Sequence, residues 1–297
     1  LVVNSIPMKN SIIKIFLFII LISHQIGVSQ PDIPIEKWKG KSILLISPHP
    51  DDDHLSHGTL ALLNSNGNKI NILTLTTGNV GTKDLNVSKS DLSKIRRGEQ
   101  INAMKALGLS ENQYINLGYD DGRLEFANRE ELVGKIVYYI RKIRPDVLMT
   151  FDPGYNYQLW HKSDHRAAAY LSVDAVRAAE WHLMYEGQII HDKLEAYAIP
   201  EFLFYGGNPS DKNTTVNIEM FVENKVLAGS KYISQWSSGW YKYLGPDLSA
   251  YPDGEEERVF KRLREKIKIL DGVSVEQFRY YKGIPDGVGQ NYERFND

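Results

Sequence analysis

The sequence predicts an α/β fold, a Rossmann-like and mostly parallel sheet with helices on both faces. Two observations support this prediction. From residue 41 to about residue 186, short apolar runs typical of strands alternate with longer helical stretches. Repeated βα units of this kind form parallel sheets with right-handed crossovers. The densest polar segments also follow predicted strands, and open α/β sheets bind ligands at the carboxyl ends of their strands.

The elements follow in chain order. Strands are predicted at residues 42–47, 69–76, 114–117 and 147–151, and helices at residues 54–66, 89–107, 130–142 and 164–186. Gly67 and Gly108 close the first two helices, and Pro145 prevents the third from continuing. The pattern is weaker after residue 193. It predicts strands at residues 196–199, 202–205 and 215–218 and helices at residues 222–234 and 255–269, and it assigns nothing after Asp271.

Composition limits the class of protein. A chain of 297 residues with 42% hydrophobic and 24% charged residues fits one large domain, expected here at residues 38–297. The net charge of −2 gives no indication of a nucleic-acid binder. The chain has no cysteine, which excludes disulfides, thiolate zinc sites and a cysteine nucleophile. Any metal ion must therefore be held by His, Asp or Glu.

The amino terminus has the pattern of a targeting segment. Lys9 and Lys14 precede a short apolar run, Ile15 to Ile22, and small or polar residues follow it. The run is too short to span a bilayer comfortably. The pattern predicts a signal peptide at residues 8–30. It also predicts an exported enzyme, periplasmic or secreted, without stable membrane insertion after cleavage. The alternatives are an uncleaved anchor and a buried amino-terminal helix.

The most polar segment, SPHPDDDH at residues 47–54, follows the first predicted strand. So many charges are costly near a core unless a divalent cation compensates them. A second cluster, HKSDH at residues 161–165, follows another strand. In a parallel sheet both clusters lie at the same carboxyl edge, which predicts a metal site there. Two His nitrogens and one carboxylate form a recurring catalytic zinc shell with an open position for water.

The remaining polar residues of these clusters suit hydrolysis. One further carboxylate, Asp51, could take a proton from water, and one further His could stabilise the other side of a tetrahedral intermediate. This set would hydrolyse an amide or an ester. The alternative for residues 51–53 is capping of the following helix, which we favour for Asp53. His57 is assigned to surface or packing. The loop at residues 77–88 is long for a βα connection, which suggests function.

Several motifs resemble one family. The segment SILLISPHPDDDHLSHGTLALL resembles the first motif of the PIG-L/LmbE-like zinc de-N-acetylases, an apolar strand followed by His-Pro-Asp-Asp and a helix. Residues 163–168 (SDHRAA) match the end of its second motif, His-x-Asp-His-Arg-Ala. Residues 76–81 (TTGNVG), 96–99 (RRGE) and 121–122 (DG) resemble its glycine loop, Arg-x-x-Glu helix and Asp-Gly turn. The resemblance covers residues 41–185.

The resemblance implies specific roles. Zn²⁺ would be the cofactor, and the metal ligands would be His49, Asp52 and His165. Asp51 would be the general base, Asp164 would orient a neighbouring His, and Arg96 and Asp121 would bind substrate. Tyr157 of the second loop is also expected to bind substrate, from its residue type and place. One departure matters, because the family His three residues before the last one is replaced by Lys162. Either His161 fills that role through an extra loop residue, which we prefer, or Lys162 does. Thr77 occupies the position at which the family's glycine loop usually has an Asp, so any role of that acid is absent.

These roles predict zinc-dependent removal of an N-acetyl group from an amino sugar or glycoconjugate. The partner is then a small-molecule or glycan substrate that carries an N-acetyl group. Tyr155, Tyr157 and Trp160 suit stacking on a sugar face, with packing within the loop as the alternative. One alternative is hydrolysis of another amide or ester. A second is a carbohydrate-binding protein on a decayed enzyme scaffold. A dinucleotide-binding protein ranks last, because the first βα turn lacks Gly-x-Gly-x-x-Gly.

Overall fold

The computed structural model describes residues 30–154 and 162–283. The first part of the chain alternates strands and helices: β1 (Ser42–Ser47), α1 (His57–Ser65), β2 (Lys69–Thr76), α2 (Lys89–Ala106), β3 (Tyr114–Tyr119), α3 (Arg129–Ile143), β4 (Val147–Phe151) and α4 (Ser163–Ala179). The later part is more mixed: α5 (Glu186–Ile190), β5 (Glu201–Tyr205), β6 (Thr214–Asn217), α6 (Val222–Ser230), α7 (Ile233–Trp236), α8 (Glu255–Glu265), β7 (Lys268–Leu270) and β8 (Val273–Lys282).

The strands of the described residues form one sheet in the order β3-β2-β1-β4-β5-β8-β6, with β7 paired to β8. The first five strands in this order are parallel, and β8 runs antiparallel to its neighbours. Successive βα units add strands on one side of β1 up to β3, and then on its other side from β4. This reversal is a topological switch point, so a crevice is expected at the carboxyl ends of β1 and β4.

Strand β1 shows why the sheet is buried on both faces. Ile43 and Leu45 belong to a core that also contains residues of α1, α2 and α6. Leu44 and Ile46 point the other way, into a core with residues of α3 and α4. Successive side chains of a strand alternate between faces, so a strand covered on both sides is apolar throughout. The predicted α/β class is confirmed.

Strands β1, β2 and β4 have the predicted bounds, whereas some helices do not. The helix predicted from residue 54 begins with a 3₁₀ turn at Asp52–Ser56. The helix predicted to reach residue 186 ends at Ala179, because buried Arg141 binds the carbonyls of Ala178, Trp181 and Met184 and holds the chain in a different path.

The last third differs most from prediction. Residues 196–199 form no strand, and the helix predicted up to residue 269 ends at Glu265. Strand β8, to which the sequence assigned nothing, pairs with β5, β6 and β7. Among the described residues, we find no helix with the length and apolarity needed to span a membrane.

Candidate metal centre

The site lies where the topology predicts it, at the carboxyl ends of β1 and β4. After β1 the chain passes Pro48 and Pro50 and reaches Asp51, whose φ of 118° is in the left-handed region. Non-glycine residues rarely adopt this conformation. The turn allows His49 and Asp52 to face each other, with 2.8 Å between His49 Nδ1 and Asp52 Oδ2.

His165, near the start of α4, completes the predicted ligand set. Its Nε2 atom lies 3.3 Å from Asp52 Oδ1, and its ring lies 5.3 Å from that of His49. The donor atoms of these three residues lie within 4.8 Å of one another. Asp52 and His165 are buried. Two imidazole nitrogens and one buried carboxylate suit a divalent transition metal ion, because they combine borderline donors with a compensating negative charge.

Two further carboxylates hold the other edge of the His49 ring. His49 Nε2 lies 3.0 Å from Asp121 Oδ1 and 3.2 Å from Asp164 Oδ2. These three residues form a second group with donor atoms within 4.8 Å. Carboxylates in this position orient a ligating imidazole and fix its tautomer, which leaves Nδ1 free to face the first group. Asp121, predicted to contact substrate, thus lies against the candidate metal ligand.

Asp164 is itself fixed by the turn before α3. Its carboxylate accepts hydrogen bonds from the Gly122 amide at 2.7 Å and the Leu124 amide at 3.1 Å. The turn is also tied to the glycine loop, because Asn79 Oδ1 accepts from the Asp121 amide at 3.1 Å. Asp164 thus lies fixed against His49, and its predicted role of orienting a neighbouring His stays a prediction.

Burial and nearby charges shift the pKa values of the three candidate ligands. Burial would lower the pKa of His49, but Asp52 and the two carboxylates at Nε2 raise it well above its usual value. Burial would raise the pKa of Asp52, but the two imidazoles lower it strongly. Burial lowers the pKa of His165, against the opposing charge of Asp52. Asp52 is thus stabilised as an anion, as a metal ligand must be.

The pKa of Asp51 shifts in the opposite direction to that of Asp52. Burial and the negative charge of Asp52 raise its pKa to about 8, while Arg96 and His49 oppose this change. Asp51 occupies the residue before the 3₁₀ turn, yet its side chain makes no capping hydrogen bond. A carboxylate near neutral pKa beside a metal site suits proton transfer.

Arg96 lies underneath the glycine loop. Its side chain is buried, and Nη2 donates to the Gly81 carbonyl at 2.8 Å. A Cβ atom on Gly78 or Gly81 would come within 2.7 or 2.4 Å of the guanidinium, so the glycines allow the loop to cover it. Arg96, predicted to bind substrate, is thus a buried cation whose charge interacts with Asp51.

A buried polar network lies behind the site, and the sequence did not indicate it. Asp53, for which capping was favoured, makes no cap. Its carboxylate accepts from Gln100 Nε2 at 2.8 Å and Tyr232 Oη at 2.9 Å, and it lies 3.3 Å from His57 Nε2. All four residues are fully buried, so the packing alternative holds for His57. Gln100 follows directly after the Arg-x-x-Glu motif, whereas no pattern marks Tyr232.

The last third of the chain also supports α1, which has no side-chain cap of its own. Glu276 of β8 accepts hydrogen bonds from the Gly58 and Thr59 amides at 2.9 and 2.8 Å. A carboxylate at a helix amino terminus satisfies free amides and interacts favourably with the helix dipole. Lys225 Nζ lies 2.5 Å from the same side chain.

Several predicted residues lie outside the described part of the chain, namely Tyr155, Tyr157, Trp160 and His161. Lys162 is described and is exposed at the start of α4. The choice between His161 and Lys162, and the stacking role of Tyr157, therefore stay predictions.

Comparisons of the sequence with known proteins find deacetylases. A family model described as PIG-L, GlcNAc-PI de-N-acetylase, matches residues 44–176. Diacetylchitobiose deacetylase of Thermococcus kodakarensis is 31% identical over 234 residues, 78% of this chain and 84% of the relative. A 1D-myo-inositol 2-acetamido-2-deoxy-alpha-D-glucopyranoside deacetylase of Streptomyces avermitilis is 30% identical over 164 residues, 47% of this chain and 53% of the relative.

A solved structure of a deacetylase is also similar to this chain. N,N'-diacetylchitobiose deacetylase from Pyrococcus horikoshii, complexed with its inhibitor MPG, aligns with a TM-score of 0.68 and 26% sequence identity. The alignment covers 82% of this chain and 84% of that one.

The prediction of an exported enzyme is wrong, because the two curated relatives are cytoplasmic enzymes. The signal peptide predicted at residues 8–30 lies, except for Gln30, outside the described residues. Two lysines, a short apolar run and the small or polar residues after it do not by themselves distinguish an export signal from other apolar segments, and the prediction depended on this pattern alone.

Proposed function

Because this chain belongs to the PIG-L family of de-N-acetylases, we propose that it removes the N-acetyl group of an amino sugar, free or in a glycoconjugate, with zinc as its metal ion. The chain is an amide hydrolase. A divalent metal ion is its cofactor. The proposal adds the identity of the metal, the substrate and the roles of single residues.

One observation supports it most directly, the His49–Asp52–His165 group, and the side chain of Asp51 interacts by charge with two of its members, Asp52 and His49. The donor set fits zinc, which commonly takes two imidazoles and a carboxylate in hydrolytic sites. A bound divalent ion supplies Lewis acidity, which acidifies water and polarises a carbonyl group. Asp121 and Asp164 would keep the His49 ring in the orientation that binding needs.

In the proposed reaction Asp51 acts as general base. Its carboxylate takes a proton from the attacking water, whose oxygen forms a bond to the amide carbon. The carbon–nitrogen bond then breaks and the nitrogen receives a proton, which gives acetate and a free amine. The raised pKa of Asp51 suits a group that takes up a proton and returns it, and a nearby divalent cation favours its ionised form beforehand.

His161 is proposed to stabilise the developing oxyanion or to assist departure of the amine, with Lys162 as the competitor. A lysine can stabilise an oxyanion as a cation, but it accepts no proton near pH 7 unless its pKa falls far. Measuring kcat and zinc content of His161→Ala and Lys162→Ala separates them. We expect about 10²-fold loss for His161→Ala with zinc retained, and a mild change for Lys162→Ala. The reverse order would assign the role to Lys162.

Substrate contacts are proposed for Arg96, Asp121 and Tyr157. Arg96 and Asp121 border the glycine loop, and Tyr157 would stack on the sugar. The neighbourhood of Arg96 supports an indirect electrostatic role as well, because its guanidinium opposes the rise in the pKa of Asp51 that burial and Asp52 cause, and it adds to the effect of His49 in lowering the pKa of Asp121.

The decisive experiment measures acetate release from N,N'-diacetylchitobiose and from N-acetylglucosamine. The enzyme is assayed zinc-loaded, after chelation, and after reloading with zinc or another divalent ion. We expect activity that is lost on chelation and restored best by zinc. A simple acetate ester serves as the comparison substrate. Faster turnover of the ester would support the alternative of another amide or ester hydrolase, and glycan binding without acetate release would support the decayed scaffold.

A further inference from the structure

Asp51 has an unusual backbone. Its φ of 118° and ψ of −20° lie in a region that glycine adopts freely and aspartate does not. Such a conformation persists only where the surrounding structure imposes it, and it often occurs at functional sites. Four more non-glycine residues of the described chain have positive φ, but their φ values are near 50°, the ordinary left-handed helical range.

Two side chains hold the peptide groups on either side of Asp51. On the amino-terminal side, the Asp51 amide donates to Gln100 Oε1 at 3.2 Å. On the other side, the Asp51 carbonyl accepts from the His54 amide at 3.0 Å, and His54 Nδ1 lies 2.7 Å from the same oxygen. A carbonyl only accepts, so this contact places a proton on Nδ1 of His54.

Gln100 is fixed in turn. Its Nε2 donates to Asp53 Oδ2 at 2.8 Å, and its Oε1 lies 3.0 Å from Tyr232 Oη. Because Asp53 accepts from the Gln100 amino group, the amide oxygen must face Asp51. Tyr232 has one hydroxyl proton to share between Gln100 Oε1 and Asp53 Oδ1, 2.9 Å away. The side chains of Asp53, Gln100 and Tyr232 are fully buried, so the arrangement that holds Gln100 is rigid.

We propose that Gln100 and His54 are positioning residues that impose the left-handed backbone of Asp51 and so aim its carboxylate at the metal centre. This inference depends on the proposed role of Asp51 as general base. A relaxed backbone would turn the Asp51 side chain away from Asp52, Arg96 and His49, with which its charge interacts. Asp51 makes no side-chain capping bond, so its orientation is set by the main chain.

Two variants of His54 provide a matched pair. His54→Phe keeps a ring that can contact Trp236, 5.0 Å away in the wild type, but it removes the donor to the Asp51 carbonyl. His54→Asn retains a donor near the position of Nδ1 and removes the ring. We expect His54→Phe to lower kcat about 10-fold or more, with KM within about threefold and zinc content unchanged. His54→Asn should stay closer to the wild type.

The role of Gln100 is tested by Gln100→Met, which keeps the side-chain length and removes both hydrogen-bonding groups. We expect kcat to fall by about 10- to 100-fold with zinc retained. The same change is then made in an Asp51→Asn background. If Gln100 acts only through the Asp51 carboxylate, it should have almost no further effect on the residual rate there.

The outcomes are distinct. Equal losses from Gln100→Met in both backgrounds would show a general structural role and overturn the proposal, as would wild-type kcat in both Gln100→Met and His54→Phe. If Gln100→Met fails to fold, the His54 pair decides alone, and equal activity of its two members refutes the inference. A fully active Asp51→Asn enzyme would instead remove the general base on which the inference depends.

Discussion

The motif-bearing part of the chain, residues 41–185, and the part after residue 195 contribute to the site in different ways. The first part contributes every residue of the two candidate metal-binding groups found among the described residues. The second contributes none of them, yet Tyr232, Ser234 and Glu276 bind motif residues or their neighbours directly. The candidate metal-binding residues thus lie in short motifs, whereas some of their neighbours are held in place by residues far along the chain.

The largest effect should come from removing a proposed metal ligand in the motif-bearing part. His165→Ala deletes one of three protein donors around the candidate ion, so we expect zinc well below one equivalent per chain and activity near background. Metal content by elemental analysis, together with acetate release, measures both. His182→Ala, at an exposed position outside the site, is the control and should be unaffected. Full zinc retention in His165→Ala would refute the ligand assignment.

Next in size is the effect expected at Asp51, the proposed general base. Asp51→Asn preserves shape and removes the basic oxygen, so kcat should fall by about 10² to 10⁴-fold while zinc stays bound. The exposed Asp253→Asn is a matched control. Turnover within about threefold of the wild type would show that Asp51 serves the turn and not the reaction.

A smaller effect, on stability, should come from the second part of the chain. Glu276→Ala leaves the Gly58 and Thr59 amides and Lys225 without their carboxylate. Breaking a buried pair in this way costs about 3 kcal/mol or more of unfolding free energy, which denaturant titration measures. The exposed Glu256→Ala is the control. An unchanged midpoint of the denaturant unfolding curve in Glu276→Ala would mean that the contact from β8 does not stabilise α1.

This comparison also explains what the sequence could predict. The bounds of β1, β2 and β4 follow from local apolar runs. The clusters at residues 47–54 and 161–165 were expected to meet because a parallel sheet aligns the carboxyl ends of its strands, and His49, Asp52 and His165 do come together; the choice of these three residues came from the family resemblance. Strand β8 was missed because its place between β5 and β6 depends on partners far away in the chain. The Tyr232–Asp53 contact spans 179 residues, and neither residue type signals it in advance.

The smallest effect concerns a contact between the two parts. Glu99 of the Arg-x-x-Glu motif is buried, and its carboxylate accepts from the Ser234 amide and hydroxyl, each at 2.7 Å. Burial raises the pKa of Glu99 from 4.5 to about 7, although the bonds from Ser234 oppose this rise. The folded protein therefore holds a proton at Glu99 that the unfolded chain has already released between these two pH values.

The sign of the pH effect follows from this difference in proton binding. The contribution of Glu99 to stability is complete below about pH 4.5 and declines as the pH rises to about 7, by at most about 3 kcal/mol. Glu99→Gln cannot titrate, so the difference in unfolding free energy between wild type and this variant should change across that window and be flat outside it. Denaturant titrations from pH 4 to 8 measure it. Ser234→Ala removes the hydroxyl bond that lowers the pKa of Glu99, so it should extend the window to higher pH. A difference that does not depend on pH would mean that Glu99 is ionised in the folded protein, and that Ser234 then stabilises a buried anion.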